Sequence, residues 1–236
     1  MKISIQRETV VSYELSNADI TLLSALNEIK HNQDNTLTYA SGCRSGVCGS
    51  CSMRVNGKEV LACSYKLQDG DFIEPLKNVP LVRDLVVDMD KAYSFNALAK
   101  AWQKSDSNGV MLSPENEKIN ELQSDCILCG SCYSACPVYS VNSEFIGPFS
   151  LTRVWRYVSD KRENDEGEKI EIIQNNGVWD CTLCNECTLV CPQDISSKAD
   201  IEKLRSKSAM AGYTDPNFAN SFGGFGGPSF DGSPVF

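Results

Sequence analysis

Twelve cysteines constrain this chain more than any other feature, and they fall into three groups of four with none left over. The groups are Cys43, Cys48, Cys51 and Cys63; then Cys126, Cys129, Cys132 and Cys136; then Cys181, Cys184, Cys187 and Cys191. An even count alone would also suit disulfides. Disulfides, however, do not require Cys-x2-Cys clustering, and the opening MKISIQRETVV has no apolar core of a secretion signal. Zinc can use four-thiolate sites assembled from such pairs. The second and third groups both read Cys-x2-Cys-x2-Cys-x3-Cys-Pro, a spacing used for paired iron–sulfur clusters in which the fourth cysteine of each run serves the other cluster. Two copies of that run favour iron–sulfur chemistry, with zinc and disulfide as the alternatives.

A metal framework matters because the apolar content is modest. Of 236 residues (26.0 kDa), 42% are hydrophobic when cysteine is counted, and about 37% remain as ordinary core material without it. Two small domains stapled by metal suit that figure better than one large core. The formal charge of −9 (22 Lys+Arg against 31 Asp+Glu) and pI near 4.7 exclude a nucleic-acid binder, which needs a basic footprint. No apolar run approaches the roughly 18 residues of a membrane span. The expectation is a soluble chain with neither signal peptide nor transmembrane helix, reaching a membrane only through partner subunits.

The first third predicts a small sheet domain. Ile3 and Ile5, then Val11, Tyr13 and Leu15, alternate with polar residues as in half-buried strands. A helix with Leu22, Leu26 and Ile29 on one face follows, capped by Asp19 or Thr21. Ser52–Val55 and Lys58–Ala62 flank Asn56-Gly57, a two-residue hairpin signal, and Phe72–Glu74 makes a last strand before Pro75. This order is compatible with the β-grasp of plant-type ferredoxins. The loop CRSGVCGSC (43–51) has the plant-type Cys-x4-Cys-x2-Cys spacing, with Cys63 directly behind the hairpin as fourth ligand of a [2Fe–2S] cluster. Gly42, Gly46 and Gly49 are expected to adopt positive φ and aim backbone N–H groups at the cluster sulfurs. A Rieske centre needs two histidine ligands, and the single histidine, His31, reads as a solvated group at a helix end.

The remainder predicts a helical ferredoxin. Residues 75–90 join the halves, and Ala92–Trp102 has a helical pattern. Asp106–Gly109 and Ser113-Pro114 mark a loop. Leu151–Arg162 is expected as a helix with Val154, Tyr157 and Val158 inward, and the charged run Lys161–Lys169 as a solvated turn. Gly130 permits close approach to a cluster, while Pro137 and Pro192 fix the chain direction after each run. If the fourth cysteines cross over, Cys126, Cys129, Cys132 and Cys191 hold one cluster. Cys136, Cys181, Cys184 and Cys187 then hold the other, and metal ties the domain together. The fold class is α+β, divided as a β-grasp plant-type ferredoxin domain (1–88), an all-α bacterial-type ferredoxin domain (89–210) and a Gly/Phe-rich tail (211–236). That tail has a composition expected to be disordered, with docking onto a partner groove as the alternative.

Plant-type loop, hairpin cysteine and two proline-terminated runs in one chain resemble the iron–sulfur subunit of succinate dehydrogenase/fumarate reductase. PLVRDLVVDMD (80–90) resembles that family's interdomain segment, and CILCGSC with GPFSLTRVWRYVSDKR (147–162) its helical domain. The resemblance covers residues 1 to about 205. It implies one-electron relay between a flavoprotein subunit with FAD, which interconverts succinate and fumarate, and a membrane-associated or quinone-side partner. It also implies a peripheral membrane position through those partners, expected at the cytoplasmic face, and no catalytic acid or base in this chain. Three oxidised clusters at about −2 each would take the charge to about −15, favouring basic patches on partners.

The sequence departs from well-known members at three places. Their third group has three cysteines and a [3Fe–4S] cluster, whereas Cys184 here supplies a fourth ligand and predicts a second [4Fe–4S]. Their quinone-neighbouring Trp and His are replaced by Val141 and Thr182. Both differences resemble the subgroup whose third subunit carries cysteine-rich domains like those of heterodisulfide reductase, leaving quinone contact indirect. Residues 211–236 match no recognised pattern. The alternatives are an iron–sulfur subunit of a heterodisulfide-reductase-like or glycolate-oxidase-like complex and, more remotely, a zinc-stapled interaction protein.

Overall fold

Alternating burial sets the first strands: Ile3 and Ile5 turn inward from β1 (Lys2–Gln6) and Tyr13 from β2 (Val10–Glu14), the two pairing antiparallel with Ile3 opposite Tyr13. The computed structural model describes residues 1–17, 19–104 and 110–216. The expected loop at Asp106–Gly109 and tail residues 217–236 lie outside them. Helix α1 (Leu22–Asn32) starts where the Thr21 hydroxyl accepts the backbone N–H of Ser24 at 3.3 Å, and it buries Leu22, Leu23, Ala25, Leu26 and Ile29. His31 is exposed, with Nδ1 2.7 Å from the Asn27 carbonyl.

Strands β3 (Ser52–Val55) and β4 (Lys58–Leu61) form the expected hairpin, with Asn56 at φ 50° and Gly57 at φ 83° in its turn. Strand β5 (Phe72–Glu74) lies between β1 (parallel) and β3 (antiparallel), giving the sheet order β2-β1-β5-β3-β4. One face of the sheet and α1 share an apolar core that includes Ile5, Leu26, Met53 and Ile73. The joining segment contains a short ribbon the sequence did not announce, β6 (Leu81–Arg83) with β7 (Val86–Val87). Its turn residue Asp84 is fixed by the Arg7 guanidinium, with Nε 2.9 Å from Oδ1, so the ribbon is tied to the start of the chain.

The second half is helical. Helix α2 (Asp90–Leu98) stops short of the predicted Trp102 because Lys100 takes φ 48° and turns the chain out of helical geometry. Short helices α3 (Pro114–Lys118), α4 (Glu121–Ser124), α5 (Ser131–Ser134) and α6 (Pro137–Val141) surround the first cysteine run. Residues 113–114 thus begin a helix: Ser113 stands before Pro114, its first residue.

Helix α7 (Pro148–Val158) corrects the expected 151–162. Gly147 at φ 85° and Pro148 set its start, and it ends before Asp160, whose carboxylate holds the Arg162 side chain and backbone N–H. Val154, Trp155 and Val158 are buried, whereas the expected inward residue Tyr157 is only half-buried.

The charged run 161–169 is not a solvated turn. Its later part belongs to α8 (Glu166–Ile172), and the Lys169 ammonium lies 3.0 Å from Glu163 with both side chains 1% exposed. Helices α9 (Glu186–Leu189) and α10 (Ser197–Met210) complete this half, whose core packs Phe95, Tyr133, Tyr139 and Phe149 edge-on and tilted.

Candidate metal centres

The 43–51 loop is poor in side-chain bulk, which lets backbone N–H groups converge on sulfur. Ser45 and Val47 N–H groups each point to Cys43 Sγ at 3.4 Å, and Cys43 N–H points to Cys48 Sγ at 3.3 Å. These donors hold the exposed Cys43 thiol down at about 6, so it ionises readily. Burial pushes Cys51 up to about 11, and its neighbours Cys63 and Cys48 add to the rise. Cys63 reaches this group because the chain turns immediately after β4, where Ala62 N–H meets the Cys51 carbonyl at 3.0 Å.

Gly46 and Gly49 have the expected positive φ, 78° and 72°. Gly42 does not. Its lack of a side chain is needed for space, since a Cβ there would lie 2.7 Å from Ser50 Oγ and 2.9 Å from Cys48 Sγ. At Gly130 the crowding comes from Met89, whose Cε would be 2.6 Å from an added Cβ, and from Leu76.

Both proline-terminated runs adopt the same backbone. Leu128 and Leu183, each before the second cysteine, stand at φ 54° and 56°; Gly130 and Asn185, each after it, at 82° and 74°. The repeated left-handed pair turns the chain so that successive cysteines face one side. Cys126, Cys129, Cys132 and Cys191 line one cavity, together with Phe149 and Thr152. Cys136, Cys181, Cys184 and Cys187 line a second, with Phe145 and Ile201. Each cavity therefore draws thiols from both runs.

Burial raises the Cys126 thiol to about 11 and Cys187 to about 12, and pushes Cys132, Cys136, Cys181 and Cys191 upward as well. Thiols crowded this way resist joint ionisation unless a polycationic group sits among them. The donor set fits iron–sulfur clusters on that ground: soft sulfur ligands, apolar walls, and N–H groups such as Leu183 to Cys181 and Tyr139 to Cys136, both at 3.4 Å.

Several supporting residues gave no signal in the sequence. Arg205, on α10, donates to the carbonyls of Val178 (2.7 Å), Trp179 (3.3 Å) and Cys181 (2.5 Å) and stacks over Trp179. Asn78 donates to the carbonyls of Ser134 (2.8 Å) and Cys136 (3.3 Å), and Gln193 to that of Gly46 (3.1 Å). Each acts across a long sequence separation onto backbone, which leaves no local spacing to read.

Residues 3–94 match the 2Fe-2S iron-sulfur cluster binding domain, and residues 122–195 the 4Fe-4S dicluster domain. The chain thus carries a [2Fe–2S]-type and a paired-cluster domain in series. It is 37% identical to the 8-methylmenaquinol:fumarate reductase iron-sulfur subunit of Wolinella succinogenes, over 85% of this chain and 68% of that one. It is also 37% identical to a fumarate reductase iron-sulfur subunit of Escherichia coli, over 82% of this chain and 83% of that one. A chain of the Mycobacterium smegmatis Sdh1 complex shares the fold, with TM-score 0.80, 22% identity, and coverage of 90% of this chain and 97% of that one. The chain belongs to the family of fumarate reductase/succinate dehydrogenase iron–sulfur subunits, the electron-transfer subunits of those oxidoreductase complexes.

Proposed function

We propose that the chain relays single electrons between a flavoprotein subunit carrying FAD and a membrane-associated or cysteine-rich partner, with quinone reached indirectly. Cys43, Cys48, Cys51 and Cys63 would hold the [2Fe–2S] cluster. Cys126, Cys129, Cys132 and Cys191 would hold one [4Fe–4S], and Cys136, Cys181, Cys184 and Cys187 the other. The observation that carries this reading is the pair of cavities, each lined by four thiols drawn from both runs. When bound, the clusters supply one-electron carriage at potentials set by type, hydrogen bonding and burial. The protein's own part is to exclude water, donate N–H groups to sulfur and fix the spacing.

The strand order and α1 support a β-grasp identity for residues 1–88, with 89–210 as the helical ferredoxin unit. Among the described residues no helix is long and apolar enough to cross a membrane, so attachment at a membrane periphery falls to partners. The quinol in the Wolinella relative's name supports a quinone-linked complex. Val141 and Leu189, 87% and 72% exposed, lie in the two cysteine-bearing segments and offer apolar surface to that partner. Anaerobic preparation should yield about ten irons and ten acid-labile sulfides per chain, and a redox titration followed by EPR three separate one-electron transitions. Protein lacking stoichiometric iron and sulfide would overturn the reading.

A further inference from the structure

The two halves of the molecule meet at their cysteine loops. Gly49, between Cys48 and Cys51, is buried at φ 72°. A Cβ at Gly49 would fall 2.8 Å from both Cα and Cβ of Cys129 and 2.8 Å from the Ile127 carbonyl oxygen. Two of these three atoms are backbone, so no rotamer change makes room. The loop of the first half therefore rests directly on the first run of the second. Hydrogen bonds flank this contact: Ser52 Oγ lies 2.9 Å from Ser131 Oγ in a buried pair, and Gln193 Nε2 donates to the Gly46 carbonyl at 3.1 Å. Ile127 and Cys129 also pack on the apolar core of the sheet domain. Ser52, Ser131 and Gln193 are each within two residues of a cysteine assigned above as a ligand.

We infer that Gly49 is a positioning residue for electron transfer, and that its contact with Cys129 is where electrons cross between the domains. This rests on the ligand sets proposed above. The route then runs through covalent bonds from Cys48 or Cys51 sulfur to the Gly49 backbone, makes one van der Waals step to Cys129, and continues to that residue's sulfur. In the direction of succinate oxidation, a cluster held by the N-terminal loop would give up one electron and a cluster at Cys129 would take it; the reverse would hold for fumarate reduction. No bond is made or broken and no proton moves. The succinate/fumarate couple supplies the electron in one direction, and the partner's donor supplies it in the other. A side chain at position 49 would push the loops apart and lengthen the single through-space step.

The test uses full-length holoprotein. With both groups reduced, the EPR signal of the [2Fe–2S] cluster should be broadened and its relaxation accelerated by the neighbouring cluster. G49A should keep iron and sulfide content but lose part of that broadening, and reoxidation of its [2Fe–2S] signal through the second cluster should slow. Should G49A fail to retain its [2Fe–2S] cluster, the double variant S52A/Q193A decides, because it loosens the flanking contacts while sparing every cysteine and Gly49. A smaller change in the same direction is expected there. Unaltered broadening and transfer in fully loaded variants would overturn the role of Gly49 and leave the relay intact, whereas absent iron and sulfide in the unsubstituted protein would overturn the relay itself.

Discussion

Cys184 is exposed, and its environment would be unremarkable but for the backbone around it. Leu183 and Asn185 repeat the left-handed turns that bracket Cys129, so the two thiols hold equivalent places in their runs. A thiol presented that way is available as the fourth corner of a cubane. The oxidised protein should therefore show no stoichiometric [3Fe–4S] EPR signal, and C184S should acquire one; a full-intensity signal before substitution would refute the assignment. Asp200 makes a second residue-scale case. Its carboxylate is buried on α10, accepts from Gln123 Nε2 at 2.8 Å, and has Lys203 3.5 Å away, while Oδ2 has no hydrogen-bond partner among the described residues. Burial raises its pKa to about 6. In the unfolded chain the group titrates near 3.8, so between there and about 6 the folded state binds more protons than the unfolded one. Stability from this group is full below the lower value and lost as pH rises through the upper. D200N should thus stabilise the protein at pH 7 and above by at most about 3 kcal/mol, seen as a higher melting temperature, with the advantage fading towards pH 4. A constant gap across that range, followed by thermal denaturation, would count against the linkage.

Helix α8 carries a buried ion pair that its sequence disguises. The side chains of Lys169 and Glu163 are each 1% exposed and 3.0 Å apart, so removing the lysine leaves the buried carboxylate without a counter-charge, held among the described residues only by the backbone N–H groups of Lys104 and Asp165. K169M should destabilise the helical half by about 3–5 kcal/mol, and the double variant E163L/K169M should recover most of that loss. Equal melting temperatures for K169M and the unsubstituted protein would show that the pair is wetter than its burial implies. This run also marks where the sequence stops being legible. The strands, the Thr21 cap and the Asn56-Gly57 turn were readable because their signals are local: alternation, a hydroxyl three residues before an N–H, and two residues that tolerate positive φ. The three cysteine groups were readable for the same reason. Lys169 was not, since a buried lysine and a solvated one look alike until a partner six residues away folds over it. Ribbon β6–β7 escaped notice because its strands are short and its turn is held by Arg7, 77 residues distant. Arg205 and Gln193 secure the cysteine loops through carbonyls, which carry no side-chain code.

Across the whole molecule, apolar burial and sulfur ligation are unequally shared between the halves. The sheet domain has its own core from Ile3 to Leu85, and among its four cysteines only Cys51 is buried within it. The helical half has Cys132, Cys136 and Cys187 inside its core, with Cys126 and Cys181 packed against it. Its cavities are closed by thiols from segments about 45 to 65 residues apart. Without a cationic centre, burial keeps protons on Cys126, Cys132, Cys136, Cys181, Cys187 and Cys191, and α5, α6 and α9, of four or five residues each, are too short to persist by themselves. Cluster removal should then unfold the two halves unequally, because binding free energy at such sites is folding free energy. Treating the reduced protein with an iron chelator and following amide hydrogen exchange should show early loss of protection around residues 126–141 and 181–191. Amides of β1, β2 and α1 should keep theirs. Simultaneous loss in both halves would mean that the loops meeting at Gly49 and Cys129 also transmit stability, and that the sheet domain does not stand on its apolar core alone.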